Sequence, residues 1–187
     1  MPLPAPHTRN LLHTRTTVFR GYQRADLLWD VEGELLDTKA RALPIPGEAT
    51  VAAGAPLHGM AIRVTINDHF VVQAIAMSMD ATPHRECPQS QASMQSMVGC
   101  TMGRGWRQAI ERNLGGVKGC AHLRELLFNM ATAAFQSLSH ELPNSNPNQP
   151  PPFFGKCTTW DFNGPVVARI YPQFAGWPDQ RKAMTII

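Results

Sequence analysis

Between Leu27 and Leu36 the residues Leu27, Trp29, Val31, Gly33 and Leu35 alternate with mostly polar neighbours, the period of a strand with one buried face. The stretch before it, Thr14 to Tyr22, also reads as a strand, so the two predict a hairpin. A second pair follows. Ile62, Val64 and Ile66 alternate with Ala61, Arg63 and Thr65, Asn67-Asp68-His69 supplies a turn, and Phe70 to Met79 returns. So short a connection admits only antiparallel pairing. The returning strand is apolar on both faces, which predicts a central position covered by helices. Ala42 to Pro56, with three prolines and two glycines, reads as the loop between the hairpins.

After Pro83 the period changes. Trp106, Ala109, Ile110, Leu114 and Val117 follow helical spacing up to Gly115-Gly116, and Leu123, Leu126, Leu127, Met130, Ala134 and Leu138 form a longer apolar stripe that packs on the sheet. Cys87 opens a further helix behind a turn. Pro143 to Pro152 is a polar, proline-dense connector, and Val166 to Tyr171 looks β-like. These elements predict one α+β domain, an antiparallel sheet with helices on one face. Its parts are an arm over 1–12, an added hairpin over 13–41, a core over 55–139, a connector over 140–156 and an extension over 157–187.

Composition narrows the classes. A chain of 187 residues with 43% hydrophobic and 17% charged residues can bury a core. The net charge of +3 comes from scattered Lys and Arg, so no phosphate-tracking surface for nucleic acid is expected. No stretch reaches the roughly 18 apolar residues of a membrane span, and the start lacks a secretory apolar centre, so a cytoplasmic protein is expected. Cys87, Cys100, Cys120 and Cys157 are few and widely separated. They require no disulfides and form no Cys-x-x-Cys pair, so any metal site is assembled from distant segments.

His58, Cys87, Cys120 and His122 sit at the ends of the predicted elements, where sites are usually built. Two residues apart on a helix means about 200° of rotation. Cys120 and His122 can therefore share one ion only if Cys120 lies outside the helix. The plainer alternative makes Cys120 a small buried hydrophobe and His122 a surface residue. Asp30 and Asp37, with Glu32 and Glu34, can be site carboxylates or simply the wet face of a strand.

Ala55-Pro56-Leu57-His58-Gly59-Met60 leading into an alternating strand, then Cys87, then Gly119-Cys120-Ala121-His122-Leu123-Arg124-Glu125-Leu126 resemble, over residues 55–138, iron–sulfur cluster assembly scaffolds. His58 stands where those scaffolds have a cysteine, Met60 where they have an aspartate, and Gly119 where a histidine precedes their last cysteine. The whole chain is more similar to a bacterial family known as a domain of unknown function. The motifs that carry this likeness include Leu28-Trp29-Asp30-Val31-Glu32-Gly33, Asp37-Thr38-Lys39, Gly105-Trp106-Arg107 and Gly164-Pro165-Val166-Val167. Members usually carry His-Asp where this chain has His58-Gly59. The first of these motifs singles out Asp30 over Asp37.

The resulting expectation is a metal-dependent enzyme, a lyase or hydrolase, acting on a small organic acid or carbonyl compound. Its metal ligands are His58, Cys87, Cys120 and His122, with Asp30 as base and His122 as ligand or acid/base. Two imidazoles and two thiolates suit tetrahedral zinc and can also hold iron. The competing expectation is a non-catalytic carrier of a metal or an iron–sulfur cluster. Either is compatible with a homo-oligomer.

Overall fold

The computed structural model describes residues 3–139, 141 and 148–177. The chain divides into two compact units, 1–142 and 143–187, with the boundary in the proline-dense connector. Residues 140, 142–147 and 178–187, which include part of the expected connector and the end of the chain, lie outside the described residues.

The first unit is an α+β fold. Strands β1 (His13–Gln23), β2 (Trp29–Lys39), β3 (Pro56–Ile66) and β4 (Val72–Ala81) pair antiparallel in the order β1-β2-β3-β4. Both predicted hairpins form and join through β2 and β3. On one face Trp29, Val31 and Leu35 of β2 continue into Met60, Ile62, Val64 and Ile66 of β3, all buried. Against them pack α1 (Trp106–Leu114) and α2 (Ala121–Leu138). The buried Trp106 Nε1 donates to the carbonyl of Leu127 at 2.7 Å and ties the two helices together. No helix among the described residues is long and apolar enough to cross a membrane.

The expected central position of the Phe70–Met79 strand is corrected. β4 is an edge strand, and β2 and β3 are central. Its apolar second face consists of small residues, with Ala74 and Ala76 exposed. Its free edge is covered instead. The Val72 N–H donates to Cys100 O and the Gly99 N–H to Val72 O, both at 2.9 Å, while Gln95 Nε2 donates to Ile75 O at 3.1 Å. The segment opened by Cys87 is a 3₁₀ helix, Cys87–Met97. Its sequence has a period of three, with Ser90, Ser93 and Ser96 each returning a hydroxyl to the carbonyl three residues earlier. That is the repeat of a 3₁₀ turn rather than an α turn.

Two glycines let α2 lie close across the sheet. A Cβ on Gly33 would come within 3.1 Å of Met130 Sδ, and one on Gly21 within 1.9 Å of Ser137 Oγ. Met130 therefore sits over the middle of β2 and Ser137 over the far end of β1. The N-terminal turn of α2 is left over the Asp37 end of the sheet, and there the site forms.

In the second unit Phe154 is surrounded by Trp160, Phe162, Tyr171 and Phe174 at ring separations of 5.3–6.0 Å. The β-like segment expected at 166–171 is instead the helix α3 (Pro165–Ile170). Proline at the first helical position, with its fixed φ, outweighs the β-branched valines after it.

Candidate functional site

Successive residues of a strand point to opposite faces. Continuing Trp29, Val31, Gly33 and Leu35 by two therefore places Asp37 on the buried, helix-covered face. It is paired on one side with Arg15 and on the other with His58, so three adjacent strands present arginine, aspartate and histidine in one row. In the β2–β3 register Asp37 faces His58 and Thr38 faces Pro56, leaving Leu57 as an extra residue. Such a bulge twists the strand locally and re-aims its neighbours.

The Asp37 carboxylate is almost fully buried and accepts four hydrogen bonds. Oδ1 receives His13 Nε2 at 2.7 Å and Arg15 Nε at 2.8 Å, and Oδ2 receives Arg15 Nη2 at 2.7 Å and His58 Nδ1 at 2.9 Å. The Arg15 fork holds the carboxyl well below its ordinary range against the opposing effect of burial, with His13 and His58 adding to it. The same fork raises the already high Arg15 value. An ionised carboxylate only accepts, so the proton of the fourth bond sits on His58 Nδ1. His58 Nε2 is then the atom left for a ligand.

From the helix side, Cys120 caps α2 in an extended conformation, φ −81° and ψ 132°, and its carbonyl accepts the Arg124 N–H at 3.1 Å. Cys120 is thus outside the helix, which is the condition under which it and His122 can meet. Its Sγ lies 3.7 Å from His122 Nδ1. Burial disfavours the Cys120 thiolate, but the His122 ring and the backbone N–H groups of Leu123 and His122 outweigh it, so the thiol lies below its usual value. The His122 ring packs on His58 with centroids 3.9 Å apart. One ligating atom from each of Asp37, His58 and His122 lies within 4.8 Å of the other two.

Four residues thus form a chain, Asp37 to His58 to His122 to Cys120. Cys120 also lines an open groove of ≈ 760 Å³, with Cys87, Ser90, Lys118 and Gly119 along it. The structure brings His58, His122 and Cys120 together in this way and sets Cys87 in the groove, outside the compact set of ligating atoms. Asp30 does not join them. It is seven residues from Asp37, hence on the other face of β2 and about 23 Å along the strand, where it accepts a hydrogen bond from Thr65 Oγ1 at 2.6 Å. Cys100 packs against the core and Cys157 is exposed in the second unit. The site carboxylate is Asp37, and the signal for it was the alternation itself, which carries a carboxylate onto the buried face after four apolar or small positions.

Residues 13–136 match the family described as protein of unknown function DUF2889. No curated protein and no solved structure matches the chain, and the likeness to iron–sulfur scaffolds rests on its motifs alone.

Proposed function

The chain belongs to that family of unknown function, and we propose that it is a metal-dependent enzyme, a lyase or hydrolase, acting on a small organic acid or carbonyl compound. His58, His122 and Cys120 hold the ion, and Asp37 orients His58. Asp37 is assigned this indirect role because its roughly four acceptor positions already receive four donors. A carboxylate that fixes the tautomer of a ligating histidine is a recurrent support for such ions.

The observation that carries the reading is the pairing of two imidazoles, from a strand and a helix, at 3.9 Å with a thiol beside one of them. The 3.7 Å between Cys120 Sγ and His122 Nδ1 is close to the separation of about 3.6 Å that sulfur and nitrogen adopt on one tetrahedral zinc. Cys120 lies outside the 4.8 Å set, so binding draws the helix N-terminus and the strand together. A donor set of two nitrogens and one sulfur suits zinc and also iron. A position left open toward the groove would polarise a carbonyl or activate water, and Lys118 on the groove wall offers a cation to a substrate carboxylate.

Metal analysis of protein purified without an affinity tag tests this. Close to one equivalent is expected in wild type and in C100A and C157A, with sharp loss in H58A, H122A and C120A. C87A should keep its metal, as a groove-wall residue. Metal-free wild type would sink the reading. Visible absorption separates a ferric ion or cluster from colourless zinc, and acid-labile sulfide separates an iron–sulfur carrier from an enzyme holding either single ion.

The lowered Cys120 thiol beside His122 and the groove favours a second reading, a metal-free hydrolase with Cys120 as nucleophile and His122 as its base. It predicts stoichiometric alkylation of Cys120 by iodoacetamide that added zinc does not slow.

A further inference from the structure

Among the described residues, Arg15 bonds both the carboxylate that holds His58 and a carboxylate one helical turn beyond His122. Its Nε and Nη2 grip Asp37, which holds His58 on the sheet. Its Nη1 pairs with Glu125, which lies three residues after His122 and therefore on the same side of α2. We propose that Arg15 is the positioning residue of the metal site, setting the tautomer and orientation of His58 and the distance at which the N-terminal turn of α2 holds His122 against it.

Magnitudes separate this role from simple stabilisation. The Arg15–Asp37 contact is buried on the aspartate side, with the Asp37 side chain 2% exposed, and removing one partner of such a pair is costly. Glu125 is 48% exposed, and ion pairs of that kind contribute little to folding. The Arg15–Glu125 pair therefore adds little to folding stability, and its distinguishing feature is its place: it runs from the His58 support to the helix carrying His122. It spans the gap that metal binding has to close. A lysine could keep the charge, but it has no planar fork with which to grip Asp37 at two points while reaching Glu125 at a third.

The inference rests on the proposed metal site for its functional meaning, and its test has one readout that does not. In apo protein, nitrogen-15 NMR of the imidazoles reports which nitrogen of His58 carries the proton. In wild type that proton is expected on Nδ1. R15M should weaken this preference and E125Q should keep it, because only the former removes the two-point grip on Asp37 and leaves it held by His13 alone. In the second readout, zinc competition against a chromophoric chelator, R15K, R15M and E125Q should each bind about 10 to 100 times more weakly. The cobalt-substituted spectrum should shift in all three. Thermal melts accompany both readouts, since a purely structural role lowers the melting temperature of R15M without changing the His58 tautomer. An unchanged His58 tautomer in R15M overturns the proposal. So does zinc affinity within twofold of wild type in both R15K and E125Q. Wild-type protein that binds neither zinc nor iron overturns the metal reading instead, and the tautomer measurement then decides Arg15 alone.

Discussion

Asp37 Oδ2 and His58 Nδ1 lie 2.9 Å apart at directly paired positions of two central strands. The strand register therefore brings the acceptor for the His58 Nδ1 proton directly opposite that histidine. The acceptor is itself immobilised by Arg15 and His13.

Replacing that acceptor should be felt twice. D37N keeps the shape but loses the charge that pairs with Arg15, leaving a cation with its main partner gone. A loss of about 3 kcal/mol in unfolding free energy is expected, at the low end for a buried pair because Arg15 is partly exposed. Zinc affinity should fall with it. Urea titration and chelator competition on the same preparation check both, and unchanged affinity would remove Asp37 from the site.

Metal removal should loosen the sheet–helix contact at its open end. If zinc joins His58 on β3 to Cys120 and His122 at the start of α2, a chelator should lower the stability of the first unit by about 2.7 kcal/mol relative to free zinc at 100 times its dissociation constant. The newly exchanging amides should lie in residues 118–125 and around His58. Exchange spread evenly over the sheet would argue against this.

The close crossing of α2 and β1 makes a separate prediction. Alanine at Gly21 would meet both Oγ and Cβ of Ser137, at 1.9 and 2.5 Å, so rotating the hydroxyl away gives no relief and the helix must move. Overpacking of this kind costs about 1–3 kcal/mol. Adding S137G to G21A should restore most of the loss in a denaturant titration, whereas S137A should not.

Two substitutions serve as controls on site assignment. D30N acts on the other face of β2 and should leave metal content unchanged. G59D introduces a carboxylate directly after the site histidine. Position 59 points to the opposite face of β3 from His58, and a Cβ there reaches Ala81 at an ordinary 3.4 Å. Metal content should again match wild type. A gain in metal or turnover in G59D would mean that this carboxylate reaches the site by another route.

The local periods of the chain determined much of the architecture. Alternation from Leu27 to Leu36 and from Ala61 to Ile66 specified two hairpins, and the stripe from Leu123 to Leu138 specified α2 nearly to its ends. These succeed because one buried face per element leaves a periodic trace, and a short turn leaves no choice of pairing. The same alternation placed Asp37 inward. Local sequence could not say whether it would be an isolated liability or a partnered carboxylate, because its partners come from positions 13, 15 and 58.

Tertiary structure decided what depends on neighbours distant in the chain. β4 became an edge strand because residues 95–102 cover its free side, which no property of Phe70 to Met79 reveals. His58 and His122 met because Gly21 and Gly33 allow α2 to cross the sheet at close range, bringing its first turn over the Asp37 end. Cys120 and His122 became neighbours through the extended backbone of a single capping residue. The sequence by itself determined which residues face inward. Only packing across three strands and a helix determined which of them touch, because contacts between elements are set by crossing geometry and register that no local period encodes.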